Sequence, residues 1–373
     1  MLKVWYVWVI GLMLMVPGSE RYAFAQSKPA LEEKILNIYT WVEFLPPSIL
    51  KKFTDQTGIR VSIDFYESNQ ILEAKLLTGN SNYDVVFPTA SPYLARQVQL
   101  GIYRRLERAK LDNYNNLDPV ILKFLENADP GNQHALPFFW GITGIGYNIK
   151  QVKSIMPNPP LDSWAILFDS QIVAMFSKCG VYLIDDEIDL YSAALLYLGL
   201  NPYSDKPADL QKAFELLLKV RPYIRRFDTY RAISDLANNE ACLIYNWSAD
   251  VAIARQRARE AGRGVEIGFA IPKEGTFLWV DTVAIPVDAP HPGNAHIFLN
   301  FLMQPEIIAE LTNKILFANA NKASRPFVKG EILNDPVIYP PLEKIKHLYM
   351  GAMITREHER QLTRGLTRLK TGR

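Results

Sequence analysis

Tryptophans that stand two or three positions from a carboxylate are the residues best suited to chemistry in this 373-residue sequence. Three such pairs occur at the ends of predicted strands: Trp41 with Glu43, Trp247 with Asp250, and Trp279 with Asp281. An indole face attracts a cation through its ring quadrupole, and a desolvated carboxylate accepts a charge-assisted hydrogen bond from an ammonium group. The repeated pairing therefore favours a binding site for amines.

Further carboxylates follow the predicted strand "GVYLI", at Asp185, Asp186 and Asp189. Acids on several separate segments suit a ligand with more than one positive charge, because each buried charge needs its own partner. Every one of these residues also has a plainer interpretation. A tryptophan at a strand end is commonly a core or rim aromatic, and an aspartate after a strand commonly forms a turn or caps a helix.

The elements that carry these side chains alternate between short apolar strands and periodic helices. "ILNIY", "RVSIDFYE" and "YDVVF" predict strands, and Pro47–Gln56 predicts a helix. Ser68 is expected to cap the next helix, and Ser91, with Pro92 at the first helical position, is expected to cap another. This alternation predicts a largely parallel sheet with helices on its faces.

The same alternation returns after an irregular stretch. Strands are expected in "GITGIGYNI", "GVYLI", "EACLIYNW", "VEIGFAIPKEG" and "FLWVDTVAIP", and helices in "KPADLQKAFELLLKV" and on both sides of Pro305. Two such units, in a chain longer than one core usually supports, predict two α/β lobes. Ligands of open α/β sheets bind beyond the carboxyl ends of the strands, which adds Thr89 to the site candidates.

The first 25 residues read as a cleavable secretory signal. Lys3 precedes an apolar run over residues 4–16, which is short for a membrane span, and small residues follow at Ala23 and Ala25. An uncleaved anchor is the alternative. Export makes a disulfide between Cys179 and Cys242 plausible, with two buried free thiols as the other possibility, and two cysteines without nearby histidines cannot complete a zinc site.

Charge and motifs exclude several classes of function. Removing Lys3, Arg21 and Glu20 from totals of 41 basic and 39 acidic residues leaves a net charge of +1, which gives no electrostatic footprint for nucleic acid. The five histidines avoid the predicted strand ends, and neither a Gly-x-Ser-x-Gly elbow nor a Walker loop occurs. A carboxylate pair that cleaves glycosides, with tryptophans stacked on sugar rings, is the rival hypothesis.

Many blocks of the sequence resemble, in the same order, the bacterial periplasmic polyamine-binding proteins, which are the putrescine and spermidine receptors of ABC importers. The blocks include "IYTWVEFLPPSILKKFTDQTGIRV", "FYESNQILEAKLLTG", "YDVVFPTAS", "PFFWGITGIGYN", "LANNEACLIYNWSAD", "IPKEGTFLWVD", "FANANKA" and "NDPVIYPP". The likeness runs from about Leu36 to the C-terminus, and such an ordered series is far more specific than any single block.

The resemblance implies an α/β, two-lobed periplasmic-binding-protein fold of type II, with a mostly parallel sheet flanked by helices in each lobe. Residues 30–139 plus 281–325 are expected to form lobe 1, and residues 140–280 plus 326–373 lobe 2. It also implies a periplasmic monomer without catalysis or cofactor, which would deliver its ligand to an inner-membrane ABC permease. A sensor that presents its closed form to a signalling partner would use the same pocket.

The resemblance assigns ligand-binding roles to eleven positions of this chain: Trp41, Glu43, Phe44, Thr89, Asp186, Asp189, Trp247, Asp250, Trp279, Asp281 and Phe317. Trp41 and Trp247 would supply aromatic walls, and Asp281 would bind an ammonium group. The expected disulfide would tie together two binding segments of one lobe.

Departures from the family pattern bear on the choice of ligand. Val42-Glu43-Phe44 replaces the Ser-Asp-Tyr of the putrescine receptors, and Phe317 replaces a common tyrosine. Glu43, Trp279 and the presence of both Asp186 and Asp189 are more similar to the spermidine receptors, whereas Asp250 and the cysteines are more similar to the putrescine branch. Five acids balance a trication better than a dication, so a spermidine-like triamine is favoured and putrescine is next.

Overall fold

A central mixed sheet with helices packed around it organises the protein in the computed structural model. The structure describes Met1 and residues 32–42, 44–351 and 354–372. Residues 34–372 of the described chain belong to one unit of the fold. The predicted signal peptide, apart from Met1, and the candidate ligand residue Glu43 lie outside the described residues.

Within the described ranges the sheet has eleven strands. In chain order they are β1 (Ile35–Trp41), β2 (Arg60–Tyr66), β3 (Val85–Val86), β4 (Ala135–Asn148), β5 (Val181–Leu183), β6 (Arg226–Phe227), β7 (Leu243–Trp247), β8 (Ile267–Ala270), β9 (Thr276–Ala284), β10 (Ala318–Asn319) and β11 (Leu348–Met350).

The helices of the described ranges fall between these strands. They are α1 (Pro47–Thr57), α2 (Asn69–Leu77), α3 (Ala95–Gln99), α4 (Pro119–Leu125), α5 (Ile149–Ile155), α6 (Ala165–Phe168), α7 (Ser170–Phe176), α8 (Glu187–Tyr197), α9 (Pro207–Val220), α10 (Thr229–Ala237), α11 (Ser248–Ala261), α12 (Pro292–Leu302), α13 (Pro305–Ile315), α14 (Gly330–Leu333) and α15 (Arg356–Thr371). Short 3₁₀ turns and one π-helical turn, Ala90–Leu94, complete the set.

Strand β4 divides the sheet into two halves. The strand order is β2-β1-β3-β9-β4-β7-β5-β6, and we call β2, β1, β3 and β9 the first half and β7, β5 and β6 the second half. The outer strands of each half are parallel, while β4 runs antiparallel to both of its neighbours. The sheet is therefore parallel toward its edges and antiparallel at its centre.

The register of β4 brings two of the tryptophans together. Gly141 pairs with Trp279 on β9, and Thr143 pairs with Trp247 on β7. Residues two apart on a strand, and residues directly opposite across a ladder, point to the same face of a sheet. Trp247 and Trp279 therefore project from one face on either side of β4, although they are far apart in sequence.

Separate apolar clusters support the two halves. Phe53, Phe298 and Phe301 belong to a cluster beside the first half, and Trp164 and Phe176 belong to a cluster beside the second half. A third cluster contains residues from both, such as Trp140 on β4. None of the described helices combines the length and the apolar character that crossing a membrane requires.

The predicted elements are largely confirmed. The helix predicted for Pro47–Gln56 runs over Pro47–Thr57 and ends at Gly58, whose φ of 71° suits a residue without a side chain. Ser68 caps α2 by accepting a hydrogen bond from the backbone N–H of Ile71 at 3.3 Å. A break separates α12 from α13, and Pro305 is the first residue of the second helix.

The prediction that Ser91 caps a helix is wrong. Ser91 lies inside the π-helical turn Ala90–Leu94 with extended backbone angles, φ −127° and ψ 134°. Its hydroxyl donates to the backbone carbonyl of Gly351 instead of accepting from a helical N–H. The tertiary contact with the C-terminal segment therefore takes the place of the local cap, and α3 begins at Ala95.

Candidate functional site

Asp281 lies near the middle of β9, opposite Thr89 in an isolated antiparallel bridge. The Thr89 hydroxyl donates to Asp281 Oδ1 at 2.7 Å and accepts a hydrogen bond from Asn69 Nδ2 at 3.0 Å. The residue is buried, and burial raises the pKa of Asp281 to about 7 against the lowering effect of the Thr89 hydrogen bond. The carboxyl group is thus oriented by neutral donors without being neutralised.

Asp250 lies in the first turn of α11, directly after the strand that ends at Trp247. It is buried, and its Oδ2 has no hydrogen-bond partner. Burial raises the pKa of Asp250 to about 7, and the charge of Arg257 only partly opposes that effect. An unsatisfied buried carboxyl oxygen is costly in a folded protein, which points to a partner that the chain itself does not provide.

Asp186 and Asp189 lie at the start of α8. Asp186 is the N-cap, with its Oδ1 accepting from the backbone N–H of Asp189 at 2.9 Å. Burial raises the pKa of Asp189 to about 6 although Trp247 Nε1 donates to its Oδ2 at 2.9 Å. Burial, followed by the charges of Asp189 and Glu187, raises the pKa of Asp186 well above its usual range.

The three tryptophans differ in how their indole N–H groups are used. Trp41 Nε1 donates to the backbone carbonyl of Phe87 at 2.9 Å, and Trp247 Nε1 donates to Asp189. Trp279 Nε1 is buried without a partner. The Trp279 ring lies close to Gly141, where an added Cβ would come within 2.3 Å of Cζ2. A glycine on β4 therefore leaves room for the Trp279 ring.

Phe44 and Phe317 lie against one another. Their ring centroids are 5.7 Å apart, and Phe44 is buried in an edge-on contact with Phe139 at 5.5 Å. Phe317 also contacts the ring of Trp279 at 5.9 Å in an edge-on geometry. Phe44 is thus part of the core, whereas Phe317 adjoins the Trp279 ring directly.

Two tyrosines near the acids escaped the sequence analysis. Tyr203 lies in the loop after α8, and its buried hydroxyl has no partner; with Asp189 it lines a cavity of about 50 Å³. Tyr230 lies in the first turn of α10, where burial and then the charges of Asp250 and Glu67 raise its pKa. Tyr203 lies between two helices, and Tyr230 follows β6, a two-residue strand that the sequence pattern did not predict, so the strand-end signal could not find them.

The expected disulfide is present. Cys179 and Cys242 are bonded with their Cα atoms 5.5 Å apart. Cys179 precedes β5, which leads to Asp186 and Asp189, and Cys242 immediately precedes β7, which ends at Trp247. The bridge therefore joins the two segments that carry the hydrogen-bonded pair Trp247 and Asp189.

The four described acids of the site form an acidic cluster: Asp186, Asp189, Asp250 and Asp281. Their hydrogen bonds come from backbone N–H, hydroxyl and indole groups, and in the described part of the chain none of the four is in an ion pair with a basic side chain. No group of three or more metal-ligating side chains is found among the described residues. Carboxylates beside indole faces can bind ammonium groups, so the arrangement suits an organic cation.

Comparisons with known proteins agree with this arrangement. A family model described as bacterial extracellular solute-binding protein matches residues 48–338. The chain is 44 % identical to the putrescine-binding periplasmic protein SpuD of Pseudomonas aeruginosa over 97 % of this chain and 98 % of that protein. It is 39 % identical to the putrescine-binding periplasmic protein PotF of Escherichia coli, over 98 % of each chain.

More distant matches extend the likeness. The spermidine/putrescine-binding periplasmic protein of Escherichia coli is 32 % identical over 85 % of this chain and 86 % of its own length. A crystal structure of the spermidine/putrescine ABC transporter substrate-binding protein PotD from Streptococcus pneumoniae matches with a TM-score of 0.76. That match has 23 % identity and covers 90 % of this chain and 98 % of the other, so it speaks for the fold alone.

Proposed function

Because this chain belongs to the bacterial extracellular solute-binding proteins, within the periplasmic polyamine-binding group of ABC importers, we propose that it captures a linear polyamine in the periplasm and delivers it to an inner-membrane permease. The α/β fold class of type II periplasmic-binding proteins, predicted from the sequence, is confirmed. Its close relatives are substrate-binding proteins for transport, so the chain is a binding protein and not an enzyme.

The acidic cluster is the observation that carries the polyamine proposal. Burying a carboxylate without a cation is expensive, and the raised pKa values of Asp189, Asp250 and Asp281 express that cost. A ligand that brings ammonium groups restores the missing charge compensation. A neutral sugar would leave the carboxylates uncompensated, which is why the site geometry does not favour the glycosidase alternative.

The number of acids supports a triamine. Asp186, Asp189, Asp250 and Asp281 are distributed over three segments, and Glu43 would add a fifth carboxylate. One ammonium group for each separated acid is the arrangement that leaves the fewest buried charges unpaired, so we propose a spermidine-like ligand. Putrescine is the second candidate, because the two relatives at 44 % and 39 % identity are named for putrescine.

The strand order supports a division into two closing lobes. We propose residues 30–139 plus 281–325 as one lobe and residues 140–280 plus 326–373 as the other, with crossings near Trp140 and Asp281. The acids then come from both sides: Asp281 is bonded to Thr89 of the first half, whereas Asp189 and Asp250 follow strands of the second half. A ligand bound to both sets would hold the lobes together.

Isothermal titration of the ligand-stripped mature protein tests the proposal. The protein, unfolded and refolded to remove bound ligand, is titrated with spermidine, putrescine, cadaverine and maltose at neutral pH. Tight binding of an amine and none of maltose is expected, with spermidine ahead of putrescine. Binding to none of the amines would overturn the function, and tighter binding of putrescine would overturn the triamine preference.

A matched substitution assigns the binding to the site. Asp281→Asn keeps the shape and the Thr89 contact but removes the charge, so amine affinity should fall by about 1.5 to 3 kcal/mol, the usual worth of a charged hydrogen bond. Asp55→Asn is the control, because Asp55 is a 59 % exposed partner of Lys51 on α1. Equal affinities of the two variants would mean that the amine binds elsewhere.

A further inference from the structure

The C-terminal helix α15 is anchored to the second half of the sheet. Its Leu362, Leu366 and Leu369 are buried in the apolar cluster beside that half. Near its end, Lys370 forms an ion pair with Asp185 at 2.7 Å, just after β5. These contacts attach most of the helix to the β5 and α8 region.

The first turn of α15 instead reaches the first half. Arg96 on α3 donates to Glu359 Oε2 at 2.9 Å and to Glu73 Oε2 on α2 at 2.8 Å. Arg356 donates to the other Glu73 oxygen at 3.0 Å, and the Tyr93 hydroxyl donates to Glu359 Oε1 at 3.0 Å. We call Glu73, Arg96, Arg356 and Glu359 the cross-half network.

The centre of the cross-half network is nearly excluded from water. The side chains of Arg96, Glu73 and Glu359 are 12 %, 9 % and 11 % exposed. Glu73 and Arg96 pair with each other inside the first half. Glu359 pairs with Arg96, and Arg356 pairs with Glu73, only while α15 lies against α2 and α3. If the halves part, Glu73 and Arg96 remain on one side, and Arg356 and Glu359 remain on the other.

We propose that the cross-half network fastens the closed arrangement of the two halves and thereby sets the affinity for the ligand. The inference rests on the proposed function, in which the halves close over a polyamine. None of the four residues is among the predicted ligand contacts, so they act as positioning residues through closure. A ligand that binds only the closed form has an apparent Kd equal to the intrinsic Kd divided by the closed fraction.

Glu359→Gln tests the proposal, because it keeps the volume and removes one charge from the network. In the ligand-free open protein Glu359 faces water, so the urea midpoint of unfolding should stay unchanged. The affinity for whichever amine binds the wild type should fall by roughly thirtyfold or more, the usual effect of removing one partner of a buried charge pair. Arg356→Gln, at a position 48 % exposed, should show a smaller loss of the same kind.

Asp335→Asn is the matched control. Asp335 forms an ion pair with Arg255 that is similarly buried, at 13 % and 18 % exposure, and both residues fall within the same proposed lobe. Its loss should lower the urea midpoint of the ligand-free protein and leave the amine Kd unchanged. The control thus shows how the loss of a permanent ion pair within one lobe changes the urea midpoint and the amine Kd.

The opposite pattern would overturn the proposal. If Glu359→Gln lowers the ligand-free midpoint as far as Asp335→Asn does, or leaves the amine Kd unchanged, the cross-half network is a permanent structural contact. Failure of the wild type to bind any amine would overturn the proposed function by itself. The unfolding comparison would still decide whether the network forms in the ligand-free protein.

Discussion

The Thr89 hydroxyl donates a hydrogen bond to the Asp281 carboxylate at 2.7 Å, and this bond fixes the acid without supplying a positive charge. The pKa of Asp281 is still raised to about 7, because burial outweighs the hydrogen bond. The acid is therefore fixed in position, and a bound cation would favour its ionised form. That coupling between proton and ligand leads to the first two predictions.

Polyamine binding should release protons and strengthen with pH. The pKa values of Asp250 and Asp281 are raised to about 7, so near pH 6 both are largely protonated before the ligand binds. An ammonium group favours the ionised form, so affinity should rise between about pH 5.5 and 8, by up to about tenfold per pH unit for each carboxylate that must ionise. Titrations in two buffers with different ionisation enthalpies measure the released protons. Identical heats in both buffers would contradict the prediction.

Asp281→Asn should stabilise the ligand-free protein at high pH. The pKa of Asp281 is higher in the folded state, at about 7, than in the unfolded state, at about 4. The protonated acid therefore favours the folded state, and this stabilisation is complete below about pH 4 and is lost as pH rises through about 7. The substitution removes the cost of ionising this buried acid. It should raise the free energy of unfolding at pH 8 by up to about 4 kcal/mol, which corresponds to a pKa raised from about 4 to about 7, and by much less near pH 5.

Urea unfolding of the ligand-stripped proteins at pH 5 and pH 8 measures that difference. Asp55→Asn, at the exposed ion pair with Lys51, should leave the pH dependence as it is in the wild type. A gain for Asp281→Asn that is equal at both pH values would show that the carboxylate charge is not its source.

Gly141→Ala should damage the site through Trp279. The added Cβ would lie 2.3 Å from Trp279 Cζ2 and 3.0 Å from Ser248 Oγ, so the indole has to move. Overpacking of this kind costs about 1 to 3 kcal/mol of stability. If the same cost falls on the amine-bound form, the affinity drops by about fivefold to 150-fold. The ligand-induced change in tryptophan fluorescence should shrink as well.

Gly330→Ala is the control for this substitution, because an added Cβ there meets only Asn334 Nδ2, at 3.9 Å. It should bind amine as the wild type does. Wild-type affinity in Gly141→Ala would mean that the position of the Trp279 ring is unimportant for the ligand.

Removing the disulfide should lower stability. The double variant Cys179→Ser, Cys242→Ser opens a loop with a sequence separation of 63, and native bridges of this kind contribute about 2 to 4 kcal/mol. The hydrogen bond from Trp247 to Asp189 joins the same two segments. The free energy of amine binding should therefore weaken by less than the free energy of unfolding falls. Urea midpoints and titrations of the two proteins, both without reductant, give the comparison. An unchanged midpoint would show that the bridge is dispensable.

The strand ends were predictable from the sequence, because period-two patterns and turn residues mark them locally. That signal led to Trp247 and Asp250 at the end of β7, whereas Asp281, expected at a strand end, lies inside β9. The helix cap at Ser68 was equally local and is confirmed.

The positions of other side chains could not be predicted from the sequence, because they depend on contacts between distant segments. Ser91 has the sequence of a helix cap, yet its hydroxyl bonds to Gly351. Phe44 directly follows the first tryptophan–acid pair, yet it packs on Phe139 in the core. Tyr203 lies in a loop, and only the fold brings its hydroxyl to the cavity beside Asp189.

The pairing of β3 with β9 has a consequence for how the chain folds. Val86 is paired with Ala284 across the sheet, and Thr89 meets Asp281 in the same region, so the first half is completed by residues synthesised long after its outer strands. Loop-closure entropy makes such pairings late and slow events. A chain arrested before β9 would leave one edge of β3 open, and the ligand-binding surface assembles only when nearly the whole polypeptide is present.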